Sequence, residues 1–136
     1  MKMTKKYKNI IIKKKINLKQ ALSKLQENEI KMLCFINKKN ELVGAINDGD
    51  IRRAILKYQN LDLDLNKIIN RRPITGKINL SDKEAYQIMK RKQIDYLPIL
   101  KNRKIIDVKC LKDFELLKKN YNVSINVMAG GFGKRL

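Results

Sequence analysis

The sequence predicts an α+β protein: two β-α-β-β-α modules packed as a pseudo-symmetric pair, followed by a short strand and a glycine-rich tail. Three observations carry this expectation. One pattern of residues occurs twice, about 64 positions apart. Each copy opens on a helix-capping pair. Each then runs through two β-rich segments, with a polar turn between them, into a second amphipathic helix.

The first copy opens at Ile16-Asn17-Leu18-Lys19-Gln20-Ala21 and the second at Leu80-Ser81-Asp82-Lys83-Glu84-Ala85. Asn17 with Gln20, and Ser81 with Glu84, have the N-cap and N3 spacing that satisfies the free N–H groups of a helix start. The helices they begin carry apolar stripes: Leu18, Ala21, Leu22 and Leu25 in one, Ala85, Ile88 and Met89 in the other. Strands are expected over 30–36 and 42–46, and again over 94–100 and 105–108. The second hairpin turn, Lys101-Asn102-Arg103, is one residue shorter than Asn37-Lys38-Lys39-Asn40, a change that loops absorb. Closing helices start near Asp48 and Lys112. Their apolar residues are Ile51, Ala54, Ile55 and Tyr58, and Leu111, Phe114 and Leu117.

Residues 1–60 are read as the first module, 61–120 as the second, and 121–136 as the start of a different unit. A module of about 60 residues buries too little surface to be stable alone, so the two should share a core. Between the copies, residues 66–74 are expected to form a short helix ended by Pro73, because the residue before proline avoids the α region. Lys118-Lys119-Asn120 reads as a polar linker, and a new strand is expected from Val123 through Met128.

Composition removes whole classes of function. There is no histidine, which excludes imidazole bases, Ser-His and Cys-His nucleophile pairs, and the commonest metal ligand. No carboxylate cluster suggests a metal site. Two cysteines, Cys34 and Cys110, make no disulfide framework. The longest apolar run, Met32-Leu33-Cys34-Phe35-Ile36, is far short of the ~20 residues that span a bilayer, so no membrane partner is expected. The basic start, Lys2 to Lys8, leads into three isoleucines and three lysines and lacks the form of a signal peptide. A cytoplasmic location is expected. The formal charge is +19, but the lysines are spread along the chain and aromatics are only 6%. Nucleic-acid readers cluster their basic residues and interleave aromatics, so nucleic acid is disfavoured. A charge-driven binder of anions or nucleic acid is kept as an alternative.

The candidate binding residues lie where the segment 42–46 meets its helix: Asn47-Asp48-Gly49-Asp50-Ile51-Arg52-Arg53. A strand-to-helix turn gathers free N–H groups and the positive end of the helix, which favours anions. Asp50 is placed to accept hydrogen bonds from ribose hydroxyls, Asn47 to donate to a phosphate or base, and Arg52 or Arg53 to reach a phosphate. The competing reading makes Asp48 and Asp50 helix caps and leaves both arginines solvated.

The pattern Gly44-Ala45-Ile46-Asn47-Asp48-Gly49-Asp50 resembles the Gly-x-x-Thr/Ser-x-x-Asp signature that closes a cystathionine-β-synthase-type (CBS) module. By that resemblance Asp50 is the ribose aspartate and Asn47 takes the place of the hydroxyl residue at the phosphate. The extension through Arg52 and Arg53 is similar to CBS pairs of sugar-phosphate isomerases and sugar nucleotidyltransferases. In the second copy Asp113 matches the ribose aspartate, while Asp107 replaces the glycine and Cys110 the hydroxyl residue. A carboxylate facing the cleft at Asp107 would repel phosphate. The resemblance covers residues 8–118. It implies no catalysis and no required cofactor, a regulatory ligand that is an adenine nucleotide or nucleotide-sugar, and assembly as a homodimer.

The segment Ala129-Gly130-Gly131-Phe132-Gly133-Lys134-Arg135-Leu136 resembles the first motif of sugar nucleotidyltransferases. It is not a P-loop, which needs glycine at Met128 and Ser or Thr at Arg135, nor a dinucleotide fingerprint, which needs glycine at Leu136. The resemblance implies that Gly130, Gly131 and Gly133 wrap a nucleotide and Arg135 neutralises its phosphates. Mg²⁺ would belong only to a complete transferase. The chain is therefore read as the regulatory part of such an enzyme, ending inside the first catalytic loop. The alternative is one part of a split transferase completed by a second chain.

Overall fold

The computed structural model describes residues 5–120, with side chains described for 7–116. The order is α1 (Lys5–Lys8), β1 (Ile11–Ile12), α2 (Leu18–Glu27), β2 (Met32–Ile36), β3 (Leu42–Asn47) and α3 (Asp48–Tyr58). After a 3₁₀ turn (Leu65–Lys67) come β4 (Gly76–Lys77), α4 (Asp82–Lys92), β5 (Tyr96–Lys101), β6 (Lys104–Cys110) and α5 (Leu111–Asn120). The predicted α+β class and the repeat of β-α-β-β-α are both present.

Each repeat makes a three-stranded sheet, β1-β2-β3 and β4-β5-β6. In each, a two-residue strand pairs parallel with the middle strand, which pairs antiparallel with the last. Both hairpins carry a register shift at the corresponding place, between Phe35 and Ile36 and between Ile99 and Leu100. The sheets touch where Glu41 bridges Lys104 and the Leu42 N–H donates to the Arg103 carbonyl at 2.9 Å.

The helix starts follow from the capping pairs. The Gln20 N–H donates to Asn17 Oδ1 and the Asn17 N–H to Gln20 Oε1, both at 2.9 Å. The Glu84 N–H donates to Ser81 Oγ and the Ser81 N–H to Glu84 Oε1, both at 3.1 Å. Such reciprocal bonds satisfy donors that a helix start otherwise leaves unpaired.

The expected shared core is present. One cluster joins Ile10, Leu18, Leu25, Leu33, Ile46 and Ile51 of the first copy to Ile105, Val108 and Cys110 of the second. A smaller cluster of Ala85, Met89, Leu97 and Ile99 lies under α4. Each large aliphatic side chain so buried contributes roughly 1.5–3 kcal/mol relative to exposure.

Two expectations, one between the repeats and one after the second, are corrected. Residues 66–74 are not a helix. A 3₁₀ turn, capped by Asp64 accepting from the Asn66 N–H at 2.9 Å, precedes extended chain. The backbone groups there pair across space rather than along a helix. The Asn70 N–H donates to the Ala45 carbonyl, and the Ala45 N–H to the Asn70 carbonyl, each at 2.9 Å. Leu63 and Leu65 are buried in the core of the first repeat, and the Leu63 carbonyl accepts from the Leu18 N–H. Residues 118–120, expected as a linker, continue α5. The strand expected over 123–128 and the glycine-rich segment with Gly130, Gly131, Gly133 and Arg135 lie outside the described residues.

Candidate functional site

The end of β3 and the start of α3 line a cleft of about 530 Å³. Asn47, Asp50, Arg52 and Arg53, four of the residues singled out from sequence, all lie on it. The opposite wall comes from the second repeat, at Ile94, Asp95 and Tyr96, and from the connecting segment at Asn70, Pro73 and Ile74. Asp113 is not on this cleft; it belongs to the matching turn of the second copy.

The turn is held from several sides. The Asp48 N–H donates to the Lys31 carbonyl at 3.2 Å, and in the second copy the Leu111 N–H donates to the Asp95 carbonyl at 2.8 Å. The Asp50 N–H donates to Asn47 Oδ1 at 2.8 Å, and the Asn47 N–H to Asp50 Oδ2 at 3.1 Å. Arg53 donates to Asp50 Oδ1 at 2.5 Å, and Arg52 pairs with Asp48. The capping reading is therefore fulfilled, and both arginines are ion-paired rather than simply solvated. This does not occupy the site's chemistry. A carboxylate oxygen has two lone pairs, so Asp50 can still accept from two vicinal hydroxyls. The Asn47 amide nitrogen has no partner among the described residues and can donate. The arginine pairs are at the surface, where ion pairs are weak and easily exchanged for a phosphate. The positive end of α3 favours an anion at the same point.

Sequence reasoning did not find the opposite wall. Its signal was the repeat itself, since Asp95 stands 64 residues after Lys31, which also lines the cleft. Tyr96 is half-buried, and burial raises its phenol above the ordinary value, although its oxygen accepts a hydrogen bond from the Lys31 backbone. Tyr96 and Ile94 give the cleft an apolar wall against its charged turn.

Gly44, the glycine of the closing signature, does not line the cleft. A Cβ there would collide with the Ile69 side chain and lie 3.3 Å from the Asn70 carbonyl oxygen. Its bareness lets the connecting segment close on β3 and carry Pro73 and Ile74 into the cleft.

Asp107, the counterpart of Gly44, is not a free repelling charge. It accepts a hydrogen bond from the Tyr7 hydroxyl, lies 3.3 Å from Lys109 Nζ, and accepts from the Val108 N–H. Burial first, then this hydrogen bond, push the Tyr7 phenol well above its ordinary value. Burial opposes the Lys109 charge, but a hydrogen bond to Asp82 and the field of Asp107 outweigh it and hold that ammonium above its usual value. Where Arg52 and Arg53 stand in the first copy, the second has Glu115 and Leu116.

The family model of the CBS domain matches residues 3–57. The chain superposes on a solved protein from Pyrococcus horikoshii with TM-score 0.71 and 28% identity, covering 88% of each chain. The fold is that of a CBS domain pair. The same pair architecture is seen in protein MJ0100, solved with 5′-methylthioadenosine and S-adenosyl-L-methionine (TM-score 0.73, 20% identity, 82% of this chain and 88% of that one). It is seen again in a CBS protein of Pyrobaculum aerophilum complexed with AMP (TM-score 0.69, 20% identity, 76% and 81%). Among curated sequences, an uncharacterized protein of Helicobacter pylori strain J99 is 31% identical over 88 residues, 64% of this chain and 27% of its own length. One from strain 26695 is 32% identical over 82 residues, 60% of this chain and 25% of its own. The chain thus spans about a quarter of the length of the curated relatives it matches. Among the described residues, no helix is long and apolar enough to cross a membrane.

Proposed function

We propose that this CBS pair is a regulatory nucleotide sensor that binds one phosphorylated ribonucleotide, an adenine nucleotide or a nucleotide-sugar, in the cleft beside α3. Asp50 receives the ribose hydroxyls, Asn47 and Arg52 meet the phosphates, and Tyr96 with Ile94 faces the base. The carrying observation is that a two-repeat cleft joins a carboxylate, two exchangeable arginines, a helix N-terminus and an apolar wall. The solved relatives that hold AMP or S-adenosyl-L-methionine support an adenine ligand. One site per chain is expected, because the second turn offers Glu115 and Leu116 in place of the arginines.

The enzyme served is proposed to be a sugar-1-phosphate nucleotidyltransferase, on the strength of the motif from Ala129 to Leu136. The same motif supports the second reading, a transferase completed by another chain. In either case residues 1–60 and 61–120 are the two sensing modules and 121–136 belong to the transferase. A homodimer is proposed through Leu56 and Tyr58 of α3 and Leu116 of α5, which are exposed. Ile51 and Phe114, apolar residues of the same two helices, are used inside the chain: Ile51 is fully buried and Phe114 packs edge-on against Tyr86.

A thermal-shift screen against AMP, ADP, ATP, GTP, CTP and nucleotide-sugars tests the reading. A ligand of the folded state at a hundred times its Kd adds about 2.7 kcal/mol of apparent stability. A concentration-dependent rise with one nucleotide class is expected; the same flat response to all of them would remove the sensor reading.

A further inference from the structure

The fold gathers charge that the sequence scatters. At the hairpin end of the molecule, away from the nucleotide cleft, a groove of about 850 Å³ runs between the β1 region and the β5–β6 turn. Lys8, Lys13, Lys14, Lys24, Lys101 and Lys104 line it, and no carboxylate does. These lysines come from two stretches about 80 residues apart in the chain. None of the six enters an ion pair among the described residues. Two acids adjoin lining residues in sequence. Glu41, next to Asn40, is engaged by the Asn37 amide and feels Arg103, Lys39 and Lys104; Asp107, next to Ile106, is engaged by Tyr7, Lys109 and the Val108 N–H. The nucleotide cleft differs: Asp48, Asp50 and Asp95 there stand against Lys31, Arg52 and Arg53.

We infer that this groove is a second anion site, separate from the nucleotide cleft, and that it takes a chain of phosphates, a triphosphate or longer. Its size is that of a small-ligand site, typically about 300–1,000 Å³. Like charges so arranged raise the local potential, and the low-dielectric isoleucine floor, including Ile36 and Ile106, concentrates it. Lysine ammonium groups act as mobile point charges, so they suit a flexible, multiply charged chain better than a single planar carboxylate. No aromatic side chain lines the groove, so it lacks the stacking platforms that hold unpaired bases. That argues for phosphates alone over a polynucleotide.

The test uses the full chain and inorganic tripolyphosphate in calorimetry at two salt concentrations. One tripolyphosphate per chain is expected, with affinity that falls as salt rises. Replacing Lys13, Lys14, Lys101 and Lys104 together by Gln should weaken it by about tenfold or more, since each removed charge lowers the groove's potential. All four are exposed, so the variant should fold. Arg52→Gln with Arg53→Gln should change tripolyphosphate binding less than about twofold, because those charges lie at the other site. Unchanged affinity in the lysine variant, or loss in the arginine variant, would overturn the inference. So would tighter binding of a polyglutamate peptide or a single-stranded oligonucleotide than of tripolyphosphate. A nucleotide that stabilises the wild-type chain should still stabilise the lysine variant, which separates failure here from failure of the sensor reading.

Discussion

Beside Gly44, in the middle of β3, a bare backbone meets another backbone; beside Asp107, its counterpart on β6, a carboxylate meets a phenol. In the first copy the connecting segment closes by paired hydrogen bonds between Ala45 and Asn70, which leaves Asn47, Asp50 and both arginines facing an open cleft. In the second, Tyr7 of α1 reaches Asp107, and Lys109 ties Asp107 to Asp82. The two turns share their backbone anchor, Asp48 on Lys31 and Leu111 on Asp95, so the difference is one of side chains rather than of fold. A duplicated scaffold thus keeps its geometry in both halves while one turn opens on a cleft and the other is tied into the chain.

The largest expected effect breaks the comparison at its two aspartates. Asp50→Ala should weaken nucleotide binding by about 1.5–3 kcal/mol, roughly ten- to a hundredfold, the worth of hydrogen bonds to a charged group. Asp113→Ala should change it by less than about twofold. Because Asp50 also caps α3, the alanine variant should lose about 1 kcal/mol of stability as well. Asp50→Asn, which keeps an acceptor for the cap, separates the two roles. Calorimetry giving two equal sites per chain, or unchanged affinity in Asp50→Ala, would reduce Asp50 to a cap.

The next effect concerns closure. Gly44→Ala places a methyl group against Ile69 and the Asn70 carbonyl, and should cost about 1–3 kcal/mol of overpacking in urea unfolding. It should also weaken nucleotide binding, since Pro73 and Ile74 reach the cleft through that contact. Asp107→Gly should leave nucleotide binding unchanged. If Gly44→Ala loses stability but binds normally, the connecting segment contributes nothing to the site.

Some of this was legible in the chain and some was not. Asn17 with Gln20 and Ser81 with Glu84 act within one turn of helix, so spacing alone revealed them. Asn47, Asp50, Arg52 and Arg53 were legible for the same reason, being neighbours on one turn. The pairing of Asn70 with Ala45 joins residues 25 apart, and no local pattern marks it; the helix expected to end at Pro73 gives way to that pairing with the distant strand. Tyr7 and Asp107 are 100 residues apart, and the repeat conceals them, because Tyr7 has no tyrosine counterpart near residue 71. The lysine groove failed for a related reason: counting along the chain showed dispersion, and only the fold brings 8–24 next to 101–104.

Sharper still is the tyrosine. Tyr7→Phe keeps the ring and removes the bond to Asp107, so it should cost about 1–2 kcal/mol in chemical unfolding, within the range for a hydrogen bond to a charged acceptor. Nucleotide affinity should not move, because the first cleft does not use Tyr7. A loss of affinity equal to that of Asp50→Ala would show that the two turns are coupled and that their division of labour is not real.

The smallest effect distinguishes two caps that look alike. Asn17→Ala and Ser81→Ala should each cost about 1 kcal/mol at neutral pH, since both remove an acceptor from an N3 N–H. They should part company in acid. Gln20, the N3 partner of Asn17, does not titrate. Glu84, the partner of Ser81, does, and the Ser81 backbone N–H first, its side chain second, holds the Glu84 carboxyl below the ordinary glutamate value. A group whose folded value is depressed binds its proton more readily when unfolded. Its stabilisation is therefore fully present above the unfolded value of about 4.3 and is lost as pH falls through the lower folded value. The cost of Ser81→Ala should accordingly shrink as unfolding is repeated from pH 7 down to pH 3, while that of Asn17→Ala stays level. Parallel pH profiles for the two variants would mean that the Ser81 hydroxyl adds nothing to the hold on the Glu84 carboxylate, which the residue-81 backbone N–H keeps in both proteins.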